Sequence, residues 1–256
     1  MIITKNKAEL STRQIFTKWL EKLVSSDLTG EKRLYVQRSW PRYFFVLRRV
    51  EECVERRTLS MNNAGLSILD VGAHFFTMLL RERFPEAKIN TLGYENHEMR
   101  STNVLYKHFA FNLNDSQFPE RWIKVPEHDI VVMGEVIEHL YTAPWLVLEF
   151  IKTAIKKGGF LVLSTPNAAA IYKRIVCVLG RNPYEMLREE QCNPGHIREY
   201  TVKELVTIGE RVGLTVDSVA LKNYFVPDST KGKLLCKLTD VVRSFREGIT
   251  IVYRKE

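Results

Sequence analysis

From Leu66 onward, short apolar runs alternate with stretches of helical character, and this alternation limits the possible folds more than any other feature of the sequence. The apolar runs include SILDVG, KINTLGYE, HDIVVMG, FLVLSTPN, LTVDSVAL and GITIVYRK. Several of them lack polar alternation, as strands covered on both faces do. Strands that alternate with helices favour right-handed βαβ units and a parallel sheet. The sequence therefore predicts an α/β fold with seven strands, mostly parallel, and helices on both faces of the sheet.

Two segments depart from this alternation. Residues 1–64 have helical spacing of apolar positions and predict an N-terminal helical cap, followed by an α/β domain over residues 65–256. We interpret the aromatic residues of this cap, which include Tyr43, as packing residues rather than a substrate platform. Residues 168–200 are the least regular part of the domain and predict an inserted lid over a substrate.

The composition is that of a globular protein. Of 256 residues, 45% are hydrophobic and 27% charged, which excludes disorder. No apolar run approaches the roughly 18 residues of a membrane span, and the N-terminus lacks the apolar region of a signal peptide. We therefore expect a cytoplasmic protein without a transmembrane segment. The four cysteines are widely spaced along the chain and are expected to be reduced thiols.

Basic residues are concentrated at the two ends of the chain. Residues 1–60 carry 13 Lys and Arg against 7 Asp and Glu, residues 221–256 carry 8 against 4, and the net charge of the whole chain is +8. If both ends lie near one site, they would attract an anionic acceptor. The alternative interpretation is a pair of solvated basic surfaces.

Acidic and glycine residues end the first two predicted strands. Asp70-Val71-Gly72-Ala73 ends the first, where glycine permits a tight turn into the next helix. Glu95 ends the second, where a carboxylate can accept hydrogen bonds from both hydroxyls of a ribose. Ligands of open α/β sheets bind beyond the carboxyl ends of the strands. These residues therefore predict a nucleotide site, although each feature alone is also typical of a simple turn.

Five ordered motifs extend this pattern: ILDVG, Glu95, FNLND, HDIVVMGEVIEHL and KKGGFLVLSTPN. Together they resemble the class I S-adenosylmethionine-dependent methyltransferases, particularly the ubiquinone-pathway O-methyltransferases. The resemblance covers roughly residues 66–220. It implies a Rossmann-like sheet, a methyltransferase domain over residues 65–256 and S-adenosyl-L-methionine as cofactor.

The resemblance also implies which residues hold the cofactor. They are Asp70, Gly72 and Ala73 near its methionine part, Glu95 on the ribose, Asn112 with Leu113 beside the adenine, and Gly134 under the methyl donor. The glycine loop of the family usually reads DxGxGxG, whereas His74 and Phe76 stand at the last two glycine positions here. Bulky side chains at these positions must point away from a ligand or reshape the loop.

The residues after the fourth strand carry candidate chemistry. On a helix, the spacing of Glu135, Glu138 and His139 puts them on one face. With His196 in the predicted lid, this ExxEH pattern resembles the divalent-metal site of small-RNA 2′-O-methyltransferases and implies a site of four ligands for Mg²⁺, Mn²⁺, Fe²⁺ or Zn²⁺. The alternative is that His139, with Glu138, acts in acid/base catalysis or orients the acceptor.

Three functions remain open from the sequence. The first is O-methylation of a small-molecule or glycan hydroxyl, selected by the lid and the basic cap. The second is metal-dependent 2′-O-methylation of RNA, which we rank lower because no RNA-binding module is attached. The third is a non-catalytic binding domain that kept the fold. The sequence predicts neither the acceptor nor the oligomeric state.

Overall fold

The computed structural model describes residues 2–24, 30–59, 65–95, 107–190, 193–224, 239 and 241–256. Seven strands form one sheet in the order β3-β2-β1-β4-β5-β7-β6. Their bounds are β1 Ser67–Val71, β2 Lys88–Gly93, β3 His108–Ala110, β4 His128–Gly134, β5 Ile155–Pro166, β6 Thr215–Lys222 and β7 Gly248–Arg254. Strand β7 runs antiparallel to both of its neighbours, and the other pairs are parallel. The predicted seven-stranded, mostly parallel, Rossmann-like sheet is confirmed.

The apolar runs form strands because both of their faces are covered. Every residue of β1 is buried, and β4 is buried from His128 to Met133. Successive strand side chains point to opposite faces. Accordingly, Ile130 and Val132 join the hydrophobic core on one face of the sheet, and Val131 and Met133 join the core on the other. A continuous apolar run is what such two-sided burial requires.

Six α-helices are described: α1 Ile2–Val24, α2 Gly30–Thr58, α3 Phe75–Arg83, α4 Pro144–Thr153, α5 Ile171–Val178 and α6 Val202–Arg211. Residues of α1, α2 and α3 share one core with the sheet, and residues of α4 and α6 share the core on the opposite face. The helices predicted as a cap therefore form part of a layer that covers the sheet. The boundary at residue 64 stays a prediction.

The two ends of the segment predicted as a lid contact each other. Asn167 and Tyr200 form an isolated parallel bridge, and the N–H of Ala168 donates to the carbonyl of Tyr200 at 3.0 Å. Among the described residues between these points, 171–178 form α5 and 185–188 form no regular structure. None of the described helices combines the length and apolar character needed to cross a membrane.

Candidate functional site

A cavity of about 880 Å³ opens at the carboxyl ends of the parallel strands. Its lining comes from the ends of β1, β2, β4 and β5, from α2 and from the inserted segment. The strand order reverses between β1 and β4, and open α/β sheets bind their ligands at this kind of switch point. The volume lies within the range of about 300 to 1,000 Å³ that is usual for small-molecule and cofactor sites.

The turn after β1 brings the backbone to the cavity. Gly72 has a φ of +78°, and a Cβ atom there would lie 2.5 Å from Cγ2 of Val136. Both facts require glycine at this position. The N–H of Gly72 donates to the carbonyl of Leu92 at 2.9 Å, which ties the turn to β2. Gly72 and Ala73 both line the cavity, and their place near the methionine part of the cofactor stays a prediction.

Asp70 lines the same cavity but is only 3% exposed. The hydroxyl of Thr77 donates to its Oδ2 at 2.5 Å. Burial raises the pKa of Asp70 to about 7, although Thr77 and Arg81 act in the opposite direction. A cation bound nearby would therefore favour the ionised form of this carboxyl group.

The two bulky residues of the loop border the cavity without filling it. The ring of Phe76 stacks on Tyr43 of α2 at a centroid distance of 6.0 Å. His74 precedes α3, and its ring packs edge-on against Phe75 with centroids 4.0 Å apart. The cavity keeps its volume with both side chains in place. The replacement of glycines by His74 and Phe76 therefore does not close the site.

The ends of β2 and β3 carry the residues that the prediction places around adenosine. Glu95 and Leu113 line the cavity, and Glu95 is exposed. Asn112 is not among the described residues that line it. Its amide oxygen instead accepts hydrogen bonds from the Tyr94 hydroxyl at 3.1 Å and from the N–H of Asn114 at 3.0 Å. The place of Asn112 beside adenine stays a prediction, and its neighbours in the chain, Phe111 and Leu113, line the cavity.

Beyond β4, the structure corrects the expectation of a helix that starts at Glu135. Gly134 and Glu135 line the cavity, but Glu135 has a φ of +55°. A short 3-10 helix, Ile137–His139, follows instead. Left-handed backbone is costly for a residue with a Cβ atom, and the contacts of Glu135 with β5 hold it. Its N–H donates to the Ser164 carbonyl at 2.9 Å, and the Ser164 hydroxyl donates to its carboxylate at 3.0 Å.

Glu135 also forms an ion pair with a residue of α2. The guanidinium of Arg42 lies 2.9 Å from its Oε2. Arg42 also donates to the Tyr35 hydroxyl at 2.8 Å and lies over the Tyr43 ring at 5.2 Å. Burial lowers the pKa of Arg42, but Glu135, Tyr35 and Tyr43 outweigh this effect and hold the pKa above its usual value.

Sequence motifs missed Arg42 and Tyr35, both of which line the cavity. They are seven residues apart in α2, so they share one helix face. That spacing is the signal that could have placed them together. Nothing in the sequence of α2 indicated that this face lies against the end of β4.

Three of the four predicted metal ligands come together. One ligand atom from each of Glu138, His139 and His196 lies within 4.8 Å of the others. His139 Nδ1 is 2.8 Å from the carbonyl of Gly195, and His196 Nδ1 is 2.9 Å from Oε1 of Glu199. Carbonyl and ionised carboxylate oxygens only accept hydrogen bonds, so each Nδ1 donates. Each Nε2 is then left with a lone pair that can take a proton or bind a metal.

Glu138 is fully buried and is not among the described residues that line the cavity, and its catalytic role stays a prediction. The Thr165 hydroxyl donates to its Oε2 at 3.0 Å, whereas no described residue donates a hydrogen bond to its Oε1. Burial and the neighbouring Glu135 raise the pKa of Glu138 well above its usual value. A buried carboxylate oxygen without a partner beside two imidazoles fits a divalent cation.

Both histidines favour the neutral form. Burial lowers the pKa of His139, although the Gly195 carbonyl partly offsets this effect. Burial and the neighbouring His139 lower the pKa of His196. The rings lie 5.0 Å apart between centroids in an edge-to-face arrangement. Both residues line the cavity, so neutral imidazoles are available at its surface.

A family model described as a methyltransferase domain matches residues 43–219. That match begins within α2 and covers β1 to β5, α6 and part of β6. No curated protein matches the chain.

Solved structures with similar folds are distant in sequence. A chain of the Haloferax volcanii complex of the Trm112 methyltransferase activator is 13% identical, with a TM-score of 0.52 and coverage of 84% of this chain and 94% of that chain. The cyclase SpnF is 12% identical, with a TM-score of 0.50 and coverage of 81% and 80%. A SAM-dependent methyltransferase from Archaeoglobus fulgidus is 14% identical, with a TM-score of 0.48 and coverage of 81% and 94%. At such identities the likeness shows the fold alone.

Proposed function

This chain belongs to the methyltransferase-domain family, and from that premise we propose that it transfers the methyl group of S-adenosylmethionine to a hydroxyl oxygen of a small-molecule or glycan acceptor. The observation that carries the hydroxyl acceptor is the pair of imidazoles, His139 and His196, at the cavity surface. A hydroxyl must lose its proton on methylation, and a neutral Nε2 is a suitable acceptor for that proton.

The cofactor would occupy the cavity at the ends of β1 and β2. Gly72 and Ala73 let a ligand approach the backbone, and Asp70 offers a carboxylate that ionises near neutral pH. Glu95 would accept hydrogen bonds from the ribose hydroxyls. Gly134 has no side chain to obstruct the wall at the end of β4. When bound, S-adenosylmethionine supplies an electrophilic methyl group, and the residues around it position the acceptor.

In the simplest mechanism, His139 receives the proton of the acceptor. Its Nδ1–H remains bound to the Gly195 carbonyl, which fixes the ring and stabilises the imidazolium that forms. His196, whose ring is held by a hydrogen bond to Glu199, would help to position the acceptor. Glu138 would act behind the histidines, since it does not reach the cavity surface among the described residues.

The same group can hold a divalent metal. Glu138, His139 and His196 would provide one carboxylate oxygen and two imidazole nitrogens, a donor set that suits Mn²⁺, Fe²⁺ or Zn²⁺ better than Mg²⁺. Glu135, expected as the fourth ligand, is instead paired with Arg42. When bound, a metal would supply Lewis acidity that lowers the pKa of an acceptor hydroxyl.

Methyl transfer in the presence and absence of metal tests both mechanisms. Purified protein, radiolabelled S-adenosylmethionine and a panel of hydroxyl acceptors should yield labelled product and S-adenosylhomocysteine. Activity that survives complete chelation would show that His139 accepts the proton without a metal. Activity that is lost on chelation and restored only by Mn²⁺ would favour the metal-dependent mechanism. Failure to bind S-adenosylhomocysteine in isothermal titration would remove the methyltransferase proposal.

Two other functions give different results in the same assays. The Glu138, His139 and His196 group favours RNA 2′-O-methylation as a second candidate, because the pattern resembles small-RNA methyltransferases. RNA binding that weakens steeply with salt would support it. A non-catalytic binding domain would take up S-adenosylhomocysteine but would turn over no acceptor.

A further inference from the structure

Helix α5 in the inserted segment buries the charged side chain of Lys173 and exposes apolar side chains. Lys173 is 2% exposed, whereas Ile175 and Val178 are 42% and 87% exposed. A buried ammonium group is unfavourable unless it is paired and hydrogen-bonded. The contacts of Lys173 therefore explain the orientation of this helix better than apolar burial does.

Lys173 contacts the start, the middle and the end of the inserted segment. Its Nζ forms an ion pair with Oε2 of Glu199 and donates to the Asn167 carbonyl at 3.2 Å. The rings of Tyr172 and Tyr184 lie 5.4 and 5.6 Å from Nζ. One ammonium group thus links several parts of the segment, and its ion-pair partner is Glu199.

Glu199 connects Lys173 to the candidate site, because it contacts both Lys173 and His196. Its carboxylate is almost fully buried, and its Oε1 accepts a hydrogen bond from Nδ1 of His196 at 2.9 Å. Lys173 and Glu199 form an ion pair, and a carboxylate oxygen in such a pair can only accept a hydrogen bond. A carboxylate that accepts from Nδ1 fixes both the tautomer and the direction of an imidazole whose Nε2 faces a ligand.

We propose that Lys173 is a positioning residue that acts through Glu199 to hold His196 in the Nδ1–H tautomer. Lys173 is not among the described residues that line the cavity, so it acts on His196 without touching acceptor or cofactor. The use of His196 in chemistry rests on the proposed function. The orientation of its ring does not, because it depends only on contacts within the protein.

The first test reads the tautomer of His196 directly. The protein labelled with ¹⁵N-histidine is examined by NMR at pH 7, because burial lowers the pKa of Lys173 to about 8, and the His196 signals are assigned with His196→Asn. We expect the Nδ1–H tautomer in wild type and in Lys173→Arg. Lys173→Met should shift His196 toward the Nε2–H tautomer. Lys157→Met, which removes an exposed lysine from β5, serves as the matched control and should change nothing.

The second test titrates the metal-free protein with Co²⁺ alone. Outer residues that orient metal ligands typically change metal affinity about 10- to 100-fold. We expect a loss of this size in Lys173→Met and none in the Lys157→Met control. The affinity for S-adenosylhomocysteine should change by less than about twofold, because the residues proposed to bind the cofactor lie at the ends of β1 and β2, away from Lys173.

A double variant keeps the test valid if Lys173→Met does not fold. Lys173→Met with Glu199→Met replaces the buried ion pair with apolar side chains of similar volume, an exchange that often preserves folding. If the folded variants keep the Nδ1–H tautomer of His196, the proposal is overturned. If wild type binds no Co²⁺ but the tautomer still depends on Lys173, the metal mechanism fails and the positioning role stands.

Discussion

The guanidinium of Arg42 lies 2.9 Å from the carboxylate of Glu135, and this ion pair joins α2 to the end of β4 inside the candidate site. The two side chains are 7% and 14% exposed. The pair therefore fixes the position of α2 over the cavity. It also gives Glu135, which the sequence predicted as a metal ligand, a cationic partner within the protein.

Loss of the Arg42 partner should destabilise the fold. Arg42→Met leaves Glu135 largely buried and without its cation, so we expect a loss of about 3 to 5 kcal/mol in the free energy of unfolding, measured with urea. Adding Glu135→Gln should recover part of that loss. Arg181→Met, at an exposed position, is the control and should change stability by less than about 0.5 kcal/mol. A loss below about 1 kcal/mol in Arg42→Met would contradict the assignment.

Gly72 should tolerate no side chain. Gly72→Ala places a Cβ atom 2.5 Å from Val136 at a φ of +78°, whereas Gly180 has a φ of +68° and a Cβ atom there would meet no described atom within 4 Å. Gly180→Ala therefore isolates the backbone cost, about 1 to 2 kcal/mol. We expect Gly72→Ala to lose a further 1 to 3 kcal/mol, roughly, from overpacking and to weaken S-adenosylhomocysteine binding. Equal losses at both glycines would show that the contact with Val136 is unimportant.

The ionised carboxylate of Asp70 should lower the free energy of unfolding of the ligand-free protein. Its pKa rises from 3.8 to about 7 on folding, so the folded state holds an extra proton between these values. The associated stability is present below pH 4 and is lost as pH rises through 7. Asp70→Asn should therefore raise the unfolding free energy at pH 8 by about 1 to 4 kcal/mol. It should also weaken S-adenosylhomocysteine binding, and wild-type affinity should increase between pH 6 and 8.

Two results would contradict this account of Asp70. One is a variant as unstable at pH 8 as wild type, which would mean that burial does not penalise the carboxylate. The other is cofactor affinity that does not change in Asp70→Asn, which would remove Asp70 from the binding site. Thermal unfolding and calorimetry on the same samples give both readouts.

His139 should govern turnover rather than cofactor binding. His139→Gln removes the proton acceptor, and we expect turnover to fall by about 10² to 10⁴. Because burial lowers the pKa of His139 from 6.5, the active neutral form should persist below that pH. The pH–rate profile of wild type should therefore be flat above pH 6.5 and fall only at more acidic pH. Binding of S-adenosylhomocysteine that collapses in His139→Gln would instead indicate a structural role.

The sequence alone determined the layered α/β fold and which residues at the ends of β1 and β2 line the cavity. Continuous apolar runs can be buried only between two layers, so they specify covered strands. Asp70 lies near the end of β1, Gly72 follows that strand and Glu95 follows β2, and parallel strands bring their carboxyl ends to one edge. Local sequence therefore carried this information.

Only the tertiary structure decided the chemistry around β4. His139 and His196 are far apart in the sequence and meet at the cavity surface, and Lys173 reaches His196 through Glu199. The pairing of Arg42 with Glu135 depends on how α2 packs against the sheet. Contacts between distant residues follow from the packing of whole elements, which no local pattern encodes, and the same packing turned Glu135 out of the helix that its spacing predicted.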